Sequence, residues 1–231
     1  RDPFTPKARL HVNGIEACVQ TAVRMLDNVY EVSHFPLPMQ AQIGRASRRL
    51  GIGITGLADA LAMLGLRYDG AAARALAAQT MQAICAAAYE ASVALAAEKG
   101  GFPAFARDAF AARPFIQQLP QQLRSDIARF GLRNSHLLAV APAGSISLLA
   151  GNVSSGLEPI FAARYSRAVR VGARQETLEA DDYACRLALS LHPGQPLPQT
   201  CLALAQVAPR AQLEMQAALQ RHVDNAISKT V

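Results

Sequence analysis

Residues 141–147 carry small and hydroxylated side chains in a pattern that suits anion binding. They follow the apolar run 137–141 and include the hydroxyl groups of Ser145 and Ser147. Small side chains leave successive backbone N–H groups open to an anion, and the N-terminus of an adjoining helix adds a partial positive charge. Phosphate is the natural ligand of such a loop. The pattern also fits one alternative, an ordinary strand-to-helix turn that serine caps.

The four cysteines show no pattern that suits a metal site. Cys18, Cys85, Cys185 and Cys201 are far apart, form no CxxC pair and have no nearby histidine at zinc-ligand spacing. Cys18 and Cys85 fall within apolar helical patterns, where a free cysteine usually behaves as a small buried hydrophobe. Unpaired cysteines indicate a reducing, cytoplasmic setting.

Other charged residues are weaker candidates for chemistry. Asp181 and Asp182 are adjacent on a predicted helix, so their side chains diverge and an acid/base pair is not expected. Lys229 is a weaker candidate for a phosphate contact. The tightest basic group is interpreted as a solvated or domain-packing face, with an effector-phosphate site as the alternative; its members are Arg45, Arg48 and Arg49.

Several segments of this sequence resemble one enzyme family. Residues 141–147, Ala-Pro-Ala-Gly-Ser-Ile-Ser, resemble the Pro-Thr-Gly-Thr-Ile-Ser loop of the cobalamin-dependent ribonucleotide reductases. Residues 151–159, Gly-Asn-Val-Ser-Ser-Gly-Leu-Glu-Pro, are similar to the segment that follows that loop in the family. Further matches lie at residues 48–61 and 222–231, with a weaker one at 26–29. Because the matches keep the order of the family and extend from about residue 3 to residue 231, they are more specific than any single loop.

The resemblance implies an α/β fold. Residues 1–231 would be a single fragment of the reductase catalytic barrel domain, a helix-rich partial α/β barrel from the later part of the ten-stranded barrel, truncated at both ends. The implied full-length enzyme reduces a ribonucleoside di- or triphosphate by radical chemistry, with adenosylcobalamin as its cofactor. The radical-bearing cysteine of the family lies on a finger loop upstream of Arg1, and none of the four cysteines matches it. The fragment is therefore expected to hold substrate phosphate, without a catalytic residue, a bound cofactor or activity of its own.

The resemblance also assigns the substrate-phosphate contacts to consecutive residues of the matched loop: Ala143, Gly144, Ser145, Ile146 and Ser147. Pro142 is expected to shape the turn. The family usually has threonine at the position of Ala143, so one hydroxyl donor is absent and the contact there must come from the backbone. Because one neutral hydrogen bond is worth about 0.5–1.5 kcal/mol net, we expect a modest loss of affinity.

Helices are predicted where apolar residues recur at helical spacing and a breaker follows. Thr55 is predicted to cap the helix at 57–64, and Asp69 the long helix at 71–99, which should end at Gly100. A short helical piece is expected around Asp108. The predicted helices span residues 15–30, 39–49, 57–64, 71–99, 121–130, 176–191 and 208–227.

Short apolar runs predict buried strands at residues 50–55, 137–141 and 160–171. Glycines alternate with isoleucine in the first of them, which predicts close approach by another segment. Helices separated by single strands, with glycine-rich turns between them, indicate an α/β architecture rather than a helical bundle. So few strands would leave sheet edges unpaired, and through these the fragment could form a homodimer.

Length and composition disfavour other classes of protein. The sequence has 231 residues, of which 51% are hydrophobic, as in a folded domain with a substantial core. No apolar run approaches the roughly 20 residues that a membrane-spanning helix needs. The net charge of +6 comes from dispersed basic residues without interleaved aromatic residues, which disfavours nucleic-acid binding. Two alternatives stay open: a stand-alone nucleotide- or anion-binding domain without redox activity, and a reductase of the class that uses a separate radical-generating subunit.

Overall fold

The computed structural model describes residues 1–172 and 174–230. Its two strands, β1 (Arg164–Val171) and β2 (Arg174–Asp181), form an antiparallel hairpin. A 3-10 turn spans Leu204–Gln206. In chain order the α-helices are α1 (Val12–Val32), α2 (Pro38–Ser47), α3 (Leu57–Met63), α4 (Ala71–Lys99), α5 (Arg107–Ala111), α6 (Pro114–Gln117), α7 (Gln121–Phe130), α8 (Gly144–Leu149), α9 (Tyr183–Leu191) and α10 (Pro209–Gln220).

Helix α4 is the centre of the core. Its small and apolar side chains are buried along most of its length, and α1, α7 and α10 pack against it. Alanine allows neighbouring helices to approach closely while it keeps a high helix propensity. The helix ends at Gly100, which adopts a positive φ of 84°. The bounds predicted for this helix and for α7 are confirmed, since a glycine stops each of them at the expected residue.

Three short segments lie side by side as parallel backbone beside these helices. Ile52 pairs with Leu138, and Val140 pairs with Ile227, in both cases as a parallel β-bridge. The N–H of Ile52 donates to the carbonyl of Leu137 at 2.8 Å, and that of Ser228 donates to the carbonyl of Val140 at 2.8 Å. Parallel backbone flanked by helices is the arrangement of an α/β barrel, so this helix-rich α/β structure fits a partial barrel.

Gly53 allows two of these segments to approach each other. A Cβ atom at this position would lie 2.6 Å from the carbonyl oxygen of Ala139, which is too close for any side chain. The prediction that glycine at 50–55 serves a close approach is confirmed. The strands predicted at 50–55 and 137–141 are reduced to isolated bridges, because each segment has few backbone partners among the described residues.

Two predicted helix caps are wrong. The N-cap of α3 is Gly56, in the left-handed conformation, and the hydroxyl of Thr55 donates instead to the carbonyl of Ser154 at 2.8 Å. The N-cap of α4 is Gly70. Asp69 forms an ion pair with Arg67 at 2.9 Å, which occupies the carboxylate that was expected to cap the helix.

The helix predicted at 176–191 is partly wrong. Residues 174–181 form β2, and the helix begins only at Tyr183. Each residue of β2 faces a partner on β1, so the hairpin overrides the local helix propensity of this stretch. Asp181 therefore ends a strand, and Asp182 caps α9 by accepting a hydrogen bond from the N–H of Cys185 at 3.1 Å. The two carboxylates do diverge, but they do not share a helix.

Helices α1, α2 and α3 lie within three residues of their predicted bounds, whereas two other elements differ more. Strand β1 begins at Arg164 rather than at residue 160, although Ile160 makes its own parallel bridge with Ala203. Helix α10 stops at Gln220 instead of residue 227. Val223 and Ile227 nevertheless remain buried, since the segment after the helix runs back along the core.

Burial was predicted for two cysteines, and it is confirmed for one of them. Cys85 is buried in α4 as expected, and burial raises the pKa of its thiol to about 12. Cys18 is exposed, because it lies on the outward face of α1, so its predicted burial is wrong. All four cysteines are free thiols.

A buried ion pair fixes the turn after α2. Asp27 is fully buried, and one of its carboxylate oxygens lies 2.8 Å from the guanidinium of Arg48. Asn134 donates to the same carboxylate at 3.1 Å. Arg48 is buried, whereas Arg45 and Arg49 are exposed, so the basic group predicted to be a solvated or packing face includes both packed and solvated residues.

No helix in the described ranges is long and apolar enough to cross a membrane.

Candidate functional site

A cleft of about 600 Å³ lies where the segment after the bridge at Val140 meets the β-hairpin and α10. This volume is within the usual range for small-molecule sites, roughly 300–1,000 Å³. Two loops form one wall, residues 142–148 and 152–159, while the start of β1 and the start of α10 form the others. The polar residues that line the cleft are Ser147, Asn152, Ser154, Ser155, Glu158, Tyr165, Arg167, Asp182, Gln212 and Thr230.

The first loop presents free backbone N–H groups. Ala143 adopts the left-handed conformation (φ 51°, ψ 25°) and is the N-cap of α8, which begins at Gly144. Within the described residues, no group accepts a hydrogen bond from the N–H of Gly144, Ser145 or Ile146. A left-handed residue followed by the first turn of a helix arranges successive N–H groups in a concave surface that suits an anion. This geometry agrees with the composition of the loop.

The predicted phosphate residues do not all face the cleft. Gly144 and Ser147 line it. Ser147 is buried, and its hydroxyl donates to the carbonyl of Gly144 at 2.9 Å. Ser145 and Ile146 are exposed on the outer side of the same turn, with the Ile146 side chain 65% exposed, and Ala143 is half-buried. The phosphate role of these five residues stays a prediction.

The second loop connects the first loop to the hairpin through Asn152. Asn152 has a positive φ of 64°, and its N–H donates to the carbonyl of Ser147 at 2.9 Å. Its side-chain amide donates to the carbonyl of Asp181 at 2.8 Å and accepts from the hydroxyl of Tyr165 at 2.8 Å. The two walls of the cleft are therefore held together by hydrogen bonds.

Asp182 is an ionisable residue of the cleft that sequence reasoning missed. It is buried, and burial together with the nearby charge of Asp59 raises its pKa to about 6. The sequence signal was present, since an aspartate directly before an apolar helix is a typical N-cap. The mistaken extension of the helix back to residue 176 concealed it.

Lys229 is committed to other groups of the protein. Its side chain is 1% exposed, and its ammonium group forms an ion pair with Glu158. It also donates to the side-chain oxygen of Gln212 at 2.7 Å, and the N–H of Thr230 donates to Glu158 at 3.1 Å. The contact fixes the end of the chain beside the cleft. Among the described residues that line the cleft, Arg167 on β1 is basic, and it is exposed.

The residues of the cleft do not form a metal site. In the part of the chain that the structure describes, no group of three or more His, Cys, Asp or Glu side chains is placed to hold a metal ion. None of the five histidines lines the cleft. The arrangement instead offers N–H groups, hydroxyl groups and an arginine, which together suit an anionic organic ligand.

Residues 3–231 match the family model described as ribonucleotide reductase, barrel domain. The chain belongs to the ribonucleotide reductase barrel-domain family. Among the relatives of this barrel domain, the vitamin B12-dependent ribonucleoside-diphosphate reductase of Mycobacterium tuberculosis (strain CDC 1551 / Oshkosh) is 37% identical over 96% of the chain. The reductase of the same name from Thermoplasma acidophilum is 28% identical, also over 96% of the chain. The ribonucleoside-diphosphate reductase subunit alpha of Treponema pallidum is 34% identical over 62% of it.

The chain spans only part of the length of these ribonucleotide reductases. It covers 32% of the Mycobacterium tuberculosis protein and 29% of the Thermoplasma acidophilum protein. The matched family and the partial-barrel fold agree with what the sequence predicted. The activity of a whole reductase extends beyond the part that this chain matches.

Proposed function

We propose that this barrel domain belongs to a ribonucleoside-diphosphate reductase and that residues 143–147 hold the diphosphate of its substrate. The observation that carries the proposal is the free set of N–H groups at Gly144, Ser145 and Ile146, next to a cleft of ligand size. The names of the relatives supply the substrate class, because both B12-dependent relatives are ribonucleoside-diphosphate reductases.

The loop would contribute by holding the substrate still. Radical abstraction of a hydrogen atom requires the reacting atoms at contact distance, so an anchor at the far end of the substrate orients the ribose. Backbone N–H groups suit this task, since they cannot rotate away as a side chain can. The hydroxyl of Ser147 already donates to the carbonyl of Gly144. We therefore propose that Ser147 supports phosphate binding through the shape that it gives the loop, and not through a free hydroxyl. Ser145 is exposed in the same turn and keeps a hydroxyl available.

Arg167 would add charge to the site. Arg167 is exposed and lines the cleft, and a guanidinium can offer two parallel N–H donors to a pair of phosphate oxygens. The other cation beside the cleft, Lys229, is neutralised by Glu158. The cleft would thus bind a diphosphate by N–H groups on one wall and by an arginine on the other.

Adenosylcobalamin is the cofactor that we propose for the whole reductase. The B12-dependent relatives match over 96% of the chain, whereas the Treponema pallidum alpha subunit and the Neurospora crassa large chain match over 62% and 68%. This difference favours the cobalamin class over the class with a separate radical-generating subunit. When bound, the cofactor would supply the radical that starts the reduction. The described residues include no histidine at the cleft and no metal-ligating cluster, so we assign none of them to the cofactor.

The parallel segments at Ile52, Leu138 and Ile227 would be neighbouring strands of the ten-stranded barrel of the family. Their isolated bridges are what remains of a sheet when few neighbouring strands are present. A homodimer of the fragment is a further part of the proposal, with the backbone edges of these segments that lack partners among the described residues as the contact.

Calorimetric titration of the protein with ADP and with adenosine tests the phosphate assignment. The wild type should bind ADP, and its affinity should fall several-fold in a Ser145→Ala, Ser147→Ala double variant, which keeps the backbone N–H groups but loses the free hydroxyl of Ser145 and the hydroxyl that Ser147 donates to Gly144. Ser190→Ala is the matched control, because Ser190 is exposed on α9 and does not line the cleft. Equal binding of ADP and adenosine by a chain with a cooperative melt would reject the loop as a phosphate site. A preference for ADP that is also unchanged when proline replaces Ser145 and removes its N–H would assign the phosphate to another part of the cleft.

A further inference from the structure

Asp59 is a buried carboxylate that the phosphate assignment does not explain. It lies in the first turn of α3 and is 1% exposed. One oxygen accepts the N–H of Ser154 at 2.6 Å, and the other accepts the N–H of Ala184 at 3.0 Å. A buried carboxylate is costly unless hydrogen bonds satisfy it, so its presence here calls for a specific role. Both of its partners are backbone N–H groups of segments that border the cleft.

Residues 55–59, at the start of α3, form hydrogen bonds with the N–H, the carbonyl and the hydroxyl of Ser154. The carbonyl of Ser154 accepts from the N–H of Gly56 at 2.7 Å and from the hydroxyl of Thr55 at 2.8 Å. Its hydroxyl accepts from the N–H of Ala58 at 3.2 Å and from that of Asp59 at 3.4 Å. Ser154 itself is 5% exposed. The second loop of the cleft is therefore fixed at this residue in both position and direction.

Ser155 transmits this constraint to residues 143–147, which we call the phosphate loop. The hydroxyl of Ser155 lies 3.1 Å from the hydroxyl of Ser147. On the other side of Ser154, the N–H of Val153 donates to the carbonyl of Ser147 at 3.1 Å. A displacement of Ser154 would thus reach α8 through both of its neighbours.

We propose that Asp59 is a positioning residue for the phosphate loop, which it orients through Ser154, Ser155 and Ser147. The proposal rests on the phosphate function proposed above. Asp59 does not line the cleft. Its role is to hold the second loop so that the free N–H groups of α8 keep one direction, because shifts of about 1 Å in a positioning element are costly to binding geometry.

The variant Asp59→Asn tests this role with little change in volume. An amide keeps one acceptor oxygen and places an NH₂ group against the N–H of either Ser154 or Ala184. That N–H then loses its acceptor, and the second loop should shift. Thr55→Val is a milder second variant, since it removes only the hydroxyl that donates to the carbonyl of Ser154.

Asp27→Asn is the matched control. Asp27 is as deeply buried as Asp59 and is equally well hydrogen-bonded, but its partners are Arg48, Arg133 and Asn134, none of which lines the cleft. It reproduces a general loss of stability without disturbing the second loop. All four proteins would be compared at a temperature where each remains folded.

The decisive readout is the set of backbone amide resonances of Gly144, Ser145 and Ser147 in ¹⁵N-labelled protein. We expect them to move in Asp59→Asn, to move less in Thr55→Val and to stay in place in Asp27→Asn. Pyrophosphate binding should weaken about tenfold in Asp59→Asn and remain unchanged in the control, because one N–H of α8 that is turned away would lose its charge-assisted hydrogen bond to the anion. Amide resonances that stay in place in Asp59→Asn, or move equally in Asp27→Asn, would overturn the proposal.

The two readouts separate this inference from the proposed function. If the wild type binds no pyrophosphate but Asp59→Asn still moves the α8 resonances, the phosphate assignment fails and the positioning of the loop stands. If pyrophosphate binds equally to wild type and Asp59→Asn, the positioning role is rejected while the phosphate assignment survives.

Discussion

The hydroxyl oxygens of Ser147 and Ser155 lie 3.1 Å apart, across the gap between the two loops of the cleft. Ser147 donates its proton to the carbonyl of Gly144. Ser155 must therefore be the donor to Ser147, which gives a directed chain of hydrogen bonds from the second loop to the first turn of α8. This chain joins the two loops in addition to the hydrogen bonds that the N–H groups of Asn152 and Val153 donate to the carbonyl of Ser147.

Ser155→Ala removes the first donor of this chain. We expect the free energy of unfolding to fall by about 1 kcal/mol, as for the loss of a neutral hydrogen bond, and ADP binding to weaken several-fold. Urea denaturation and calorimetric titration measure the two effects. Ser125→Ala is the control, because its hydroxyl donates to the carbonyl of Gln121 on the exposed side of α7. An equal loss of ADP affinity in both variants would contradict the coupling of the loops.

Ser145→Pro tests the backbone N–H groups directly. Proline is tolerated in the first turn of a helix, and the N–H that it removes has no partner among the described residues. We expect the melting temperature to change little and ADP affinity to fall about tenfold, the equivalent of one charge-assisted hydrogen bond. Gln122→Pro places proline at the same helical position of α7 and should leave binding intact. Full affinity in Ser145→Pro would exclude this N–H from the site.

Gly53→Ala tests the close approach of two parallel segments. The new Cβ would meet the carbonyl oxygen of Ala139 at 2.6 Å, and backbone cannot yield as a flexible side chain does. We expect the free energy of unfolding to fall by about 1–3 kcal/mol, as for overpacking of a core. Gly51→Ala should cost less, since its Cβ would meet only the side chain of Ala139 at 3.3 Å. Thermal denaturation shows which of the two variants loses more stability. Equal losses of stability would mean that the backbone shifts and removes the clash at Gly53.

Local signals explain which elements the sequence could predict. Helices α4 and α7 were predicted with their observed ends because their apolar spacing stops at a glycine. Strand β2 was missed because its stretch favours a helix locally, and only pairing with β1 makes it extended. The cap at Thr55 failed for a similar reason, since its hydroxyl donates to the distant Ser154, whereas the cap at Asp69 failed because a local residue, Arg67, binds the carboxylate. Pairing between distant segments is decided by tertiary contacts and leaves little trace in a local pattern.

The candidate site was predictable only in part. The small residues at 141–147 and their resemblance to a family loop identified the segment that presents free N–H groups at Gly144 and Ser145. Asp59 escaped detection because its importance comes from burial and from partners that are far away in the sequence, whereas the local cap signal of Asp182 was hidden by the mistaken start of the helix at residue 176. The exposure of Ile146 could not be predicted either, since it depends on how α8 packs.

Asp182 makes stability depend on pH in a direction that can be tested. Its pKa is raised from 3.8 to about 6 by burial and by Asp59, so the native chain binds a proton that the unfolded chain has already lost between these two values. The stabilisation is complete below pH 3.8 and disappears as the pH rises to about 6, which amounts to about 3 kcal/mol for a shift of this size. Asp182→Asn cannot ionise and still offers an oxygen to the N–H of Cys185, so its advantage over the wild type should grow from pH 4 to pH 7.

Asp181→Asn is the control for this effect, because it should show the opposite sign. Arg164 lowers the pKa of Asp181, so the wild-type carboxylate stabilises the native chain above the unfolded pKa, and this stabilisation is lost on acidification. Asp181→Asn should therefore be less stable than the wild type at pH 7 and equal to it in acid. Urea denaturation of the three proteins between pH 4 and pH 7 measures the trend of Asp182, and further points below pH 3.8 measure that of Asp181, whose stabilisation is complete above the unfolded pKa. A constant difference between Asp182→Asn and the wild type over this range would show that the Asp182 carboxylate is not desolvated in the cleft.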